Sequence, residues 1–498
     1  MNRRSLAGFG LAAAVVVGAA LPAAADDPQP PVNPAFYNSN DQAIRGVGSD
    51  TTFAMMNDLG VAFQESPGCT HNTPTMPNDP TVIEGNCAAT QPGGVITTEN
   101  YDHEVHFGWF PTGSGNGIRQ LCKQTLPKPA NVPPVNYSRS SASAAATSST
   151  NCRPGAGVVL RMKFVAYAKD GITWVNWAGG GGSGLTNLTK TQLQNIFINC
   201  SATNWNQVGG PNAPIIVYTA QNGSGTRSSW DFFLTGSSST PPLSDACIPA
   251  FGKDGDLFTR TSTDSNGYVA GDTVIDDASA ATKDANAFVV SPNFPAGTQV
   301  TAVTAGVSYT VSNAATGAGT QVTLNDPERK IFENNCQPVQ AGLYEVDPNA
   351  LNEGNAIFPY SFGAYANKGP AETCVPRSID GIAPGETTIR NGTFPATRFV
   401  YNVFRDTDNG LGSQPAPIVA PFTLALVGET GWICKPGAGH SQPPDGIPGN
   451  GVESSNVTID YGLLVWDTIR ASGFFPLPDR TDATSNRCFT EIKDFTGA

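Results

Sequence analysis

Apolar and polar positions alternate along this chain in short blocks, a pattern that predicts many brief strands and a few helices. Two-residue alternation predicts strands at 43–48, 101–110, 214–218, 287–290, 300–311 and 356–365, and helical periodicity predicts helices at 51–63, 190–197, 227–234 and 461–471. Residues 162–177 are predicted as two strands joined by a turn at Lys169-Asp170-Gly171. Strands and helices that alternate in this way indicate an α/β fold with ligand loops at the ends of the strands.

The first 25 residues have the pattern of a secretory signal peptide. Arg3 and Arg4 precede an apolar run at 6–20, and small residues at 23–25 provide a cleavage site near Ala25. The run is too short for a comfortable membrane span. We therefore expect a secreted, extracytoplasmic protein; general secretion and twin-arginine export both remain open. Residues 26–40 are rich in Pro and Asn and are expected to form a flexible lead.

The ten cysteines agree with an oxidising compartment. Their number is even, none forms a CxxC pair and all spacings are long, so structural disulfides are favoured over zinc or redox chemistry. Sequence alone does not fix the connectivity. Sequential pairing is the arrangement we expect, and it would give Cys69–Cys87, Cys122–Cys152, Cys200–Cys247, Cys336–Cys374 and Cys434–Cys488.

The net charge of −13 argues against nucleic acid as a partner, because a phosphate backbone requires a basic face. A small anion remains possible as a ligand, since backbone N–H groups and helix N-termini bind anions without net positive charge. The chain has 54 glycines and 40 prolines, which indicates many turns and loops. Its length of 498 residues predicts two lobes or domains.

Three glycine- and hydroxyl-rich loops each stand between a predicted strand and a predicted helix. In such loops glycine permits close backbone approach, and hydroxyls sit where a helix start concentrates N–H donors. A single loop of this kind is more often an N-capped turn, but three together favour an oxyanion site. The Ser/Ala-rich stretch at 138–151 is either a linker or a further functional loop. The three loops are Gly46-Val47-Gly48-Ser49-Asp50-Thr51-Thr52, Thr112-Gly113-Ser114-Gly115-Asn116-Gly117 and Gln221-Asn222-Gly223-Ser224-Gly225-Thr226-Arg227.

Several stretches resemble the phosphate-binding proteins of ABC transporters. The likeness is most specific through 185–190, 204–215 and 222–227, and it extends to the loops at 46–52 and 113–117. The ending Gly473-Phe474-Phe475-Pro476-Leu477-Pro478 also resembles the family's closing segment. Residues 66–95 and much of 236–390 resemble insertions.

This resemblance implies a periplasmic-binding-protein type 2 fold, in which two α/β lobes are joined by a two-strand hinge. Lobe 1 would comprise 41–165 and 395–498, and lobe 2 with its insertions 166–394. The implied function is capture of a small oxyanion for ABC-type import, with phosphate as the main candidate. The resemblance implies no catalysis, no cofactor and no metal. ABC permease subunits are the implied protein partner, and we expect a monomer.

The resemblance also implies which residues contact the anion. Two departures from the family pattern stand out. The family's usual Arg and Asp before the third loop are absent, with Ala220, Gln221 and Asn222 in their place. In the loop after Tyr137, where many relatives place an Asp, this chain has Ser138-Arg139-Ser140-Ser141. Arg139 or Arg227 could replace the guanidinium or simply be solvated. The predicted set is Ser49, Asp50, Thr51, Ser114, Gly115, Arg139, Ser140, Ser224, Gly225, Thr226 and Arg227. Within it, Asp50 is either the acceptor for a phosphate O–H or the N-cap of the helix that follows.

Two rival functions remain open from the sequence. A secreted hydrolase needs a nucleophile and a base, but no Gly-x-Ser-x-Gly motif is present, and His103-Glu104-Val105-His106 is one residue short of the zinc motif His-Glu-x-x-His. A surface or matrix protein that kept the fold without transport is the second rival, favoured by the insertions and the altered loops.

Overall fold

The structure is a computed structural model. It describes residues 44–64, 98–100, 113–122, 135–154, 157, 159–177, 179–221, 223–239, 242–248, 258–280, 287–295, 297–326, 329–333, 336–337, 354–368, 374–406, 423–424, 426–429, 431–434, 440–442, 457–459, 461–477 and 488–496. The predicted signal peptide at 1–25, the lead at 26–40, the insertion at 66–95 with its Cys69–Cys87 disulfide and the strand at 101–110 lie outside the described residues.

Helices of the described residues are short, and side chains cap the starts of two of them. They are α1 (Phe53–Gln64), α2 (Ser114–Cys122), α3 (Lys190–Phe197), α4 (Gly225–Thr235), α5 (Phe362–Lys368), α6 (Glu386–Arg390) and α7 (Tyr461–Ala471). A capping box between Thr189 and Gln192 starts α3. Ser224 caps the start of α4, and Gly236, in the left-handed conformation with φ 77°, ends it. The helices predicted at 190–197 and 461–471 are confirmed to the residue.

Strands of the described residues are mostly short. They are β1 (Ile44–Gly48), β2 (Thr98–Asn100), β3 (Tyr137–Ser140), β4 (Val159–Trp177), β5 (Asn187–Leu188), β6 (Ile216–Val217), β7 (Thr219–Ala220), β8 (Phe258–Tyr268), β9 (Val274–Asp276), β10 (Phe288–Val290), β11 (Val300–Thr304), β12 (Ser308–Val311), β13 (Gly319–Asp326), β14 (Lys330–Ile331), β15 (Ala356–Ser361), β16 (Cys374–Pro376), β17 (Ser378–Ile379), β18 (Thr397–Arg405), β19 (His440–Gln442), β20 (Val457–Ile459), β21 (Phe475–Pro476) and β22 (Phe489–Thr496). Together with the helices they confirm the predicted mixed α/β class.

The main sheet is organised around β4. Its strand order is β2-β1-β3-β18-β4-β15-β6, and β16, β21 and β22 also pair with β4. β1 is parallel to β2 and β3, whereas β18 runs antiparallel to both β3 and β4. The first predicted loop therefore leaves the sheet at the end of β1, beside the segment that follows β3.

The turn predicted at Lys169-Asp170-Gly171 is wrong. β4 continues through these residues as one strand of 19 residues, and β18 pairs Arg398 with Asp170 and Thr397 with Gly171. A polar Lys-Asp-Gly sequence is typical of a turn. Here Asp170 is instead fully buried, because the Arg398 side chain neutralises it across the sheet. A second difference is that the strand predicted at 356–365 ends at Ser361, whose hydroxyl accepts from the N–H of Ala364 as α5 begins.

The hydrophobic core changes partners along β4. Residues of β4 up to Ala168 pack into two clusters whose other members come from 44–152 and 399–495. From Ile172 onwards, residues of β4 pack into two further clusters. The other members of these clusters lie between 174 and 396, except for Phe475. The change lies between Ala168 and Ile172 on β4 and between Ala396 and Phe399 on the returning segment. The predicted lobe boundaries at 165/166 and 394/395 stay a prediction.

Residues 258–326 form a separate all-β segment, which we call the β insertion. One three-stranded sheet has the order β10-β13-β8, and another has the order β11-β12-β9. Between them lies an apolar cluster that includes Tyr268, Ile275, Tyr309 and Leu324, each at most 2% exposed. The strand predicted at 287–290 is observed as β10, whereas the one predicted at 300–311 is two strands, β11 and β12, joined by a turn at 305–307. The segment thus has a core of its own.

Four of the five expected disulfides are confirmed. They are Cys122–Cys152, Cys200–Cys247, Cys336–Cys374 and Cys434–Cys488. None of the helices within the described ranges has the length and apolar character that a membrane span requires.

Candidate functional site

The three predicted loops meet through direct backbone contacts. The N–H of Gly113 donates to the carbonyl of Gly48 at 2.9 Å, which joins the second loop to the first. The N–H of Gly115 donates to the carbonyl of Gly223 at 2.8 Å, which joins the second loop to the third. Loops that lie far apart in the chain therefore form one continuous polar surface at the starts of α2 and α4.

Glycine is required where these loops touch. Gly113 has φ 99°, and a side-chain carbon there would lie 2.6 Å from the carbonyl carbon of Gly223. A side-chain carbon at Gly225 would overlap the hydroxyls of Ser114 and Ser141. Close approach of this kind is open only to glycine. Substitution of Gly225 would consequently disturb the packing of the loops as well as any ligand contact.

Five hydroxyls gather at this junction, and we call them the loop cluster: Ser49, Thr51, Ser114, Ser141 and Thr226. The hydroxyl of Ser141 accepts from that of Ser49 at 3.0 Å and lies 3.4 Å from that of Ser114. The hydroxyls of Thr51 and Thr226 lie 3.4 Å apart. All five residues are at most 5% exposed. Hydroxyls that bond to one another can rotate to donate to an anion, because each has one donor and two acceptor sites.

Arg398, a residue outside the predicted set, brings a positive charge to the loop cluster. Its Nη2 donates to the hydroxyl of Thr226 at 3.0 Å, and its Nη1 donates to the carbonyl of Ser141 at 2.9 Å. Nε and Nη2 also donate to Oδ2 of Asp170, at 3.0 and 2.7 Å. The arginine is 8% exposed, so its charge acts in a largely water-free environment.

Asp170 fixes the position of Arg398. Its Oδ2 accepts from the hydroxyl of Ser361 at 2.8 Å, and its Oδ1 accepts from the N–H groups of Gly363 and Gly171 at 2.9 and 2.8 Å. The carboxylate is thus bonded from three residues besides Arg398. A buried ion pair held in this way offers one defined guanidinium orientation.

A second unpredicted residue, Glu333, places a carboxylate on the loop cluster. Its Oε1 accepts from the N–H of Thr226 at 3.0 Å and from the hydroxyl of Ser141 at 3.4 Å. Its backbone N–H donates to Oε1 of Gln221 at 2.9 Å, and Nε2 of Gln221 donates to Oδ2 of Asp50 at 2.9 Å. Gln221 therefore connects the segment of Glu333 to the first loop.

The two arginines of the predicted set hold the loops in position. Nε and Nη1 of Arg139 donate to the carbonyls of Ser49 and Gly46, both at 3.0 Å. Nε of Arg227 donates to Oδ2 of Asp245 at 2.8 Å, in a buried ion pair. These contacts go to the backbone and side chains that hold the loops, and both arginines are buried rather than solvated. Replacement of the family guanidinium by Arg139 or Arg227 stays a prediction.

The remaining predicted residues take local structural roles. The hydroxyl of Ser224 accepts from the N–H of Arg227 at 3.0 Å and caps α4. The hydroxyl of Ser140 donates to the carbonyl of Ala142 at 2.8 Å. Oδ2 of Asp50 accepts a hydrogen bond from Nε2 of Gln221. The N-cap position of the turn at Asp50–Thr52 is occupied by Ser49, so the N-cap alternative for Asp50 is not the one observed. Contact of any predicted residue with an anion stays a prediction.

A cavity of about 430 Å³ lies beside the loop cluster. Arg398 and Ser229 line it, and the hydroxyl of Ser229 donates to the carbonyl of Ser141 at 2.8 Å. Aromatic side chains of Phe232, Phe233 and Phe399 form much of the remaining wall. Arg398 thus separates the polar cluster from a larger, mostly apolar space.

Metal binding has no support in the described part of the chain, where no three His, Cys, Asp or Glu side chains are grouped to hold an ion. His103-Glu104-Val105-His106 lies outside the described residues.

Three residues of the site are absent from the predicted set, and the sequence gives different signals for each of them. Ser141 directly follows Ser140 in the Ser/Ala-rich stretch, which packs against the other loops and is not a linker. Arg398 directly precedes the apolar residues Phe399, Val400 and Tyr401, and a charge beside such residues signals a buried partner. Glu333 has no comparable signal, because it is one acid among polar residues of a segment without a clear pattern.

Comparison with known families gives one match that covers most of the chain. A family model described as the PBP superfamily domain matches residues 33–352. No curated protein matches the chain. Among solved structures, it is similar to an ABC-type phosphate transport receptor from Vibrio cholerae, with 14% identity and a TM-score of 0.32 over 76% of this chain and 93% of that one. It is also similar to a phosphate-binding protein from Stenotrophomonas maltophilia, with 14% identity and a TM-score of 0.35 over 88% of this chain and 91% of that one.

Proposed function

The chain belongs to the PBP superfamily, and on that premise we propose that it is an extracytoplasmic solute-binding protein that captures a small oxyanion, phosphate first, for ABC-type import. The observation that carries the proposal is the convergence of three loops on one buried group of hydroxyls beside a guanidinium. A tetrahedral oxyanion presents several acceptor oxygens, and this arrangement offers donors from several directions.

The donors of the loop cluster suit an anion in both charge and geometry. The N–H of Thr226 belongs to the first turn of α4, where the helix dipole favours negative charge. The hydroxyls of Ser49 and Ser141 and the guanidinium of Arg398 complete a set of donors in a site with little water. Charge-assisted hydrogen bonds from arginine are about twice as strong as neutral ones. We therefore propose Arg398 in the role that the sequence assigned to Arg139 or Arg227.

Binding without turnover is the chemistry that we propose for this site. The hydroxyls of Ser49, Ser114 and Thr226 contact other hydroxyls, a backbone N–H or a guanidinium. None of these partners is a base that could take a hydroxyl proton and activate a nucleophile. The hydroxyl of Ser141 does contact the carboxylate of Glu333, but at 3.4 Å this contact is long for proton transfer. This favours a binding protein over the rival hydrolase.

Export and partnership with ABC permease subunits belong to the same proposal. The signal-peptide pattern at 1–25 supports export, and the four disulfides agree with an oxidising compartment. A surface protein without transport is the second candidate. It would be favoured if the anion bound but no permease interacted with the loaded protein.

Isothermal titration calorimetry with phosphate and sulfate tests the proposed function. We expect the wild type to bind phosphate, and we expect Thr226→Val to weaken binding by about tenfold, since one lost hydrogen bond to a charged group costs about 1.5–3 kcal/mol. Thr235→Val is the matched control, because it removes a hydroxyl from the far end of the same helix, where it donates to the carbonyl of Asp231.

If Thr226→Val and Thr235→Val bound phosphate with equal affinity, the third loop would not be part of the binding site. Absence of binding heat for either anion in ligand-stripped wild-type protein would overturn the proposed function.

A further inference from the structure

The carboxylate of Glu333 occupies donors that an oxyanion would need. Its Oε1 lies 3.0 Å from the N–H of Thr226, at the start of α4, and 3.4 Å from the hydroxyl of Ser141. Both donors belong to the set on which the proposed function rests. A carboxylate oxygen and a phosphate oxygen accept hydrogen bonds from the same kinds of donor. The two therefore compete for one position.

The location of Glu333 carries a large desolvation cost. It is 1% exposed, and its Oε2 has no hydrogen-bond partner within the described part of the chain. No lysine or arginine among the described residues forms an ion pair with it, whereas Arg398 is paired with Asp170. Burial of an incompletely bonded carboxylate is unfavourable. The charge of Glu333 is thus buried at the junction of the loops without a cation from the described residues paired to it.

The backbone around Glu333 is fixed on both sides. β14 (Lys330–Ile331) pairs in parallel with β7 (Thr219–Ala220), which directly precedes the third loop. On the other side, Cys336 is bonded to Cys374, and its carbonyl accepts from the indole N–H of Trp177 at 3.0 Å. Displacement of the carboxylate from its donors would therefore require rotation of the Glu333 side chain and not release of the segment.

We propose that Glu333 is an internal competitor for the oxyanion site, and that a bound anion displaces its carboxylate from Thr226 and Ser141. The inference rests on the proposed function. Two anions cannot share these donors without strong repulsion in a site of low dielectric constant. Glu333 would therefore lower the affinity of the site for every small oxyanion, whatever the protonation state of that anion.

A different role for Glu333 predicts the opposite result. A carboxylate that stays in place could accept the O–H of a protonated phosphate and reject sulfate, which has no proton to donate. Removal of the charge would then weaken phosphate binding and leave sulfate binding unchanged. The sign of the effect separates the two roles.

Titration of wild type, Glu333→Gln and Glu333→Ala with phosphate and with sulfate tests the proposal. Loss of the competing charge-assisted hydrogen bond should tighten binding of both anions by about fivefold in Glu333→Gln, and further in Glu333→Ala, with the phosphate-to-sulfate ratio unchanged. Glu386→Gln is the matched control, because it removes the same charge from a partly exposed site paired with Arg390 and Arg470. Its affinities should equal those of the wild type.

Thermal melting without added anion provides the check on folding. Glu333→Gln should melt at or above the wild-type temperature, because it removes a buried and incompletely bonded charge and keeps an oxygen that can accept from the N–H of Thr226. Weaker phosphate binding in Glu333→Gln, or affinities equal to the wild type in both variants, would overturn the proposal and leave the proposed function intact. If no protein in the series binds either anion, both proposals fail together.

Discussion

The loop cluster and the core of the β insertion are both buried, yet they bury opposite kinds of groups. Around the loop cluster lie hydroxyls, the guanidinium of Arg398 and the carboxylates of Asp170 and Glu333. The centre of the β insertion is filled by apolar and aromatic side chains, including Tyr268, Ile275, Val300, Tyr309 and Leu324. One region is held by directional bonds between polar groups, and the other is held by packing.

This difference separates stability from binding. Apolar packing stabilises the β insertion roughly in proportion to the area removed from water, and it presents no donors to a ligand. In the loop cluster the same polar groups stabilise the loops and face the proposed anion, so a single substitution there should alter both properties. Variants of the two regions can therefore be compared by one stability measurement and one binding measurement.

Arg398→Met should produce the largest effect of any single substitution considered. Removal of one partner from a buried ion pair leaves Asp170 uncompensated and should lower the free energy of unfolding by about 3–5 kcal/mol. Anion binding should be lost as well. Urea unfolding measures the first change. Arg161→Met, which breaks the exposed pair with Asp494, is the control and should unfold like the wild type.

If Arg398→Met unfolded at the same urea concentration as Arg161→Met, the Arg398–Asp170 pair would not be part of the structural frame of the site. The claim that directional polar bonds hold the loop cluster in place would then be contradicted.

Leu324→Ala should affect stability alone. Leu324 is 2% exposed in the β insertion. Truncation of a buried leucine to alanine should lower the free energy of unfolding by about 3 kcal/mol. The phosphate affinity should equal that of the wild type, because no donor of the loop cluster is moved. A loss of affinity in correctly folded Leu324→Ala protein would show that the two regions are coupled, which contradicts the comparison.

The fold was predictable where the sequence carries local signals. α3 and α7 were located to the residue because each combines a periodic apolar face with a defined end. The Lys-Asp-Gly sequence in β4 was misassigned as a turn, since the partner that buries Asp170 stands in a strand more than two hundred residues later. Local rules contain no information on such a partner.

The candidate site was predictable to a similar extent. Ser49, Ser114 and Thr226 were found because glycine and hydroxyl residues at helix starts have a recognisable pattern. Arg398 and Glu333 reach the loop cluster only through the pairing of β18 with β4 and of β14 with β7. Pairing between strands so distant in the chain is a tertiary property, and a sequence without its structure does not reveal it.

The central claim is that buried hydroxyls of the loop cluster bind an oxyanion, and two serine variants test it most directly. Ser49 and Ser262 are both fully buried and both donate a hydrogen bond, Ser49 to Ser141 in the loop cluster and Ser262 to Asp277 in the β insertion. Ser49→Ala should lower stability by about 1 kcal/mol, and Ser262→Ala, which loses a bond to a carboxylate, by about 1.5–3 kcal/mol.

Calorimetric titration with phosphate should separate these two variants. We predict that Ser49→Ala binds phosphate about tenfold more weakly than the wild type, because it lacks one donor to a charged ligand, whereas Ser262→Ala binds it with unchanged affinity. Equal phosphate affinities in wild type, Ser49→Ala and Ser262→Ala would contradict the account, since the hydroxyls of the loop cluster would then make no contact with the bound anion.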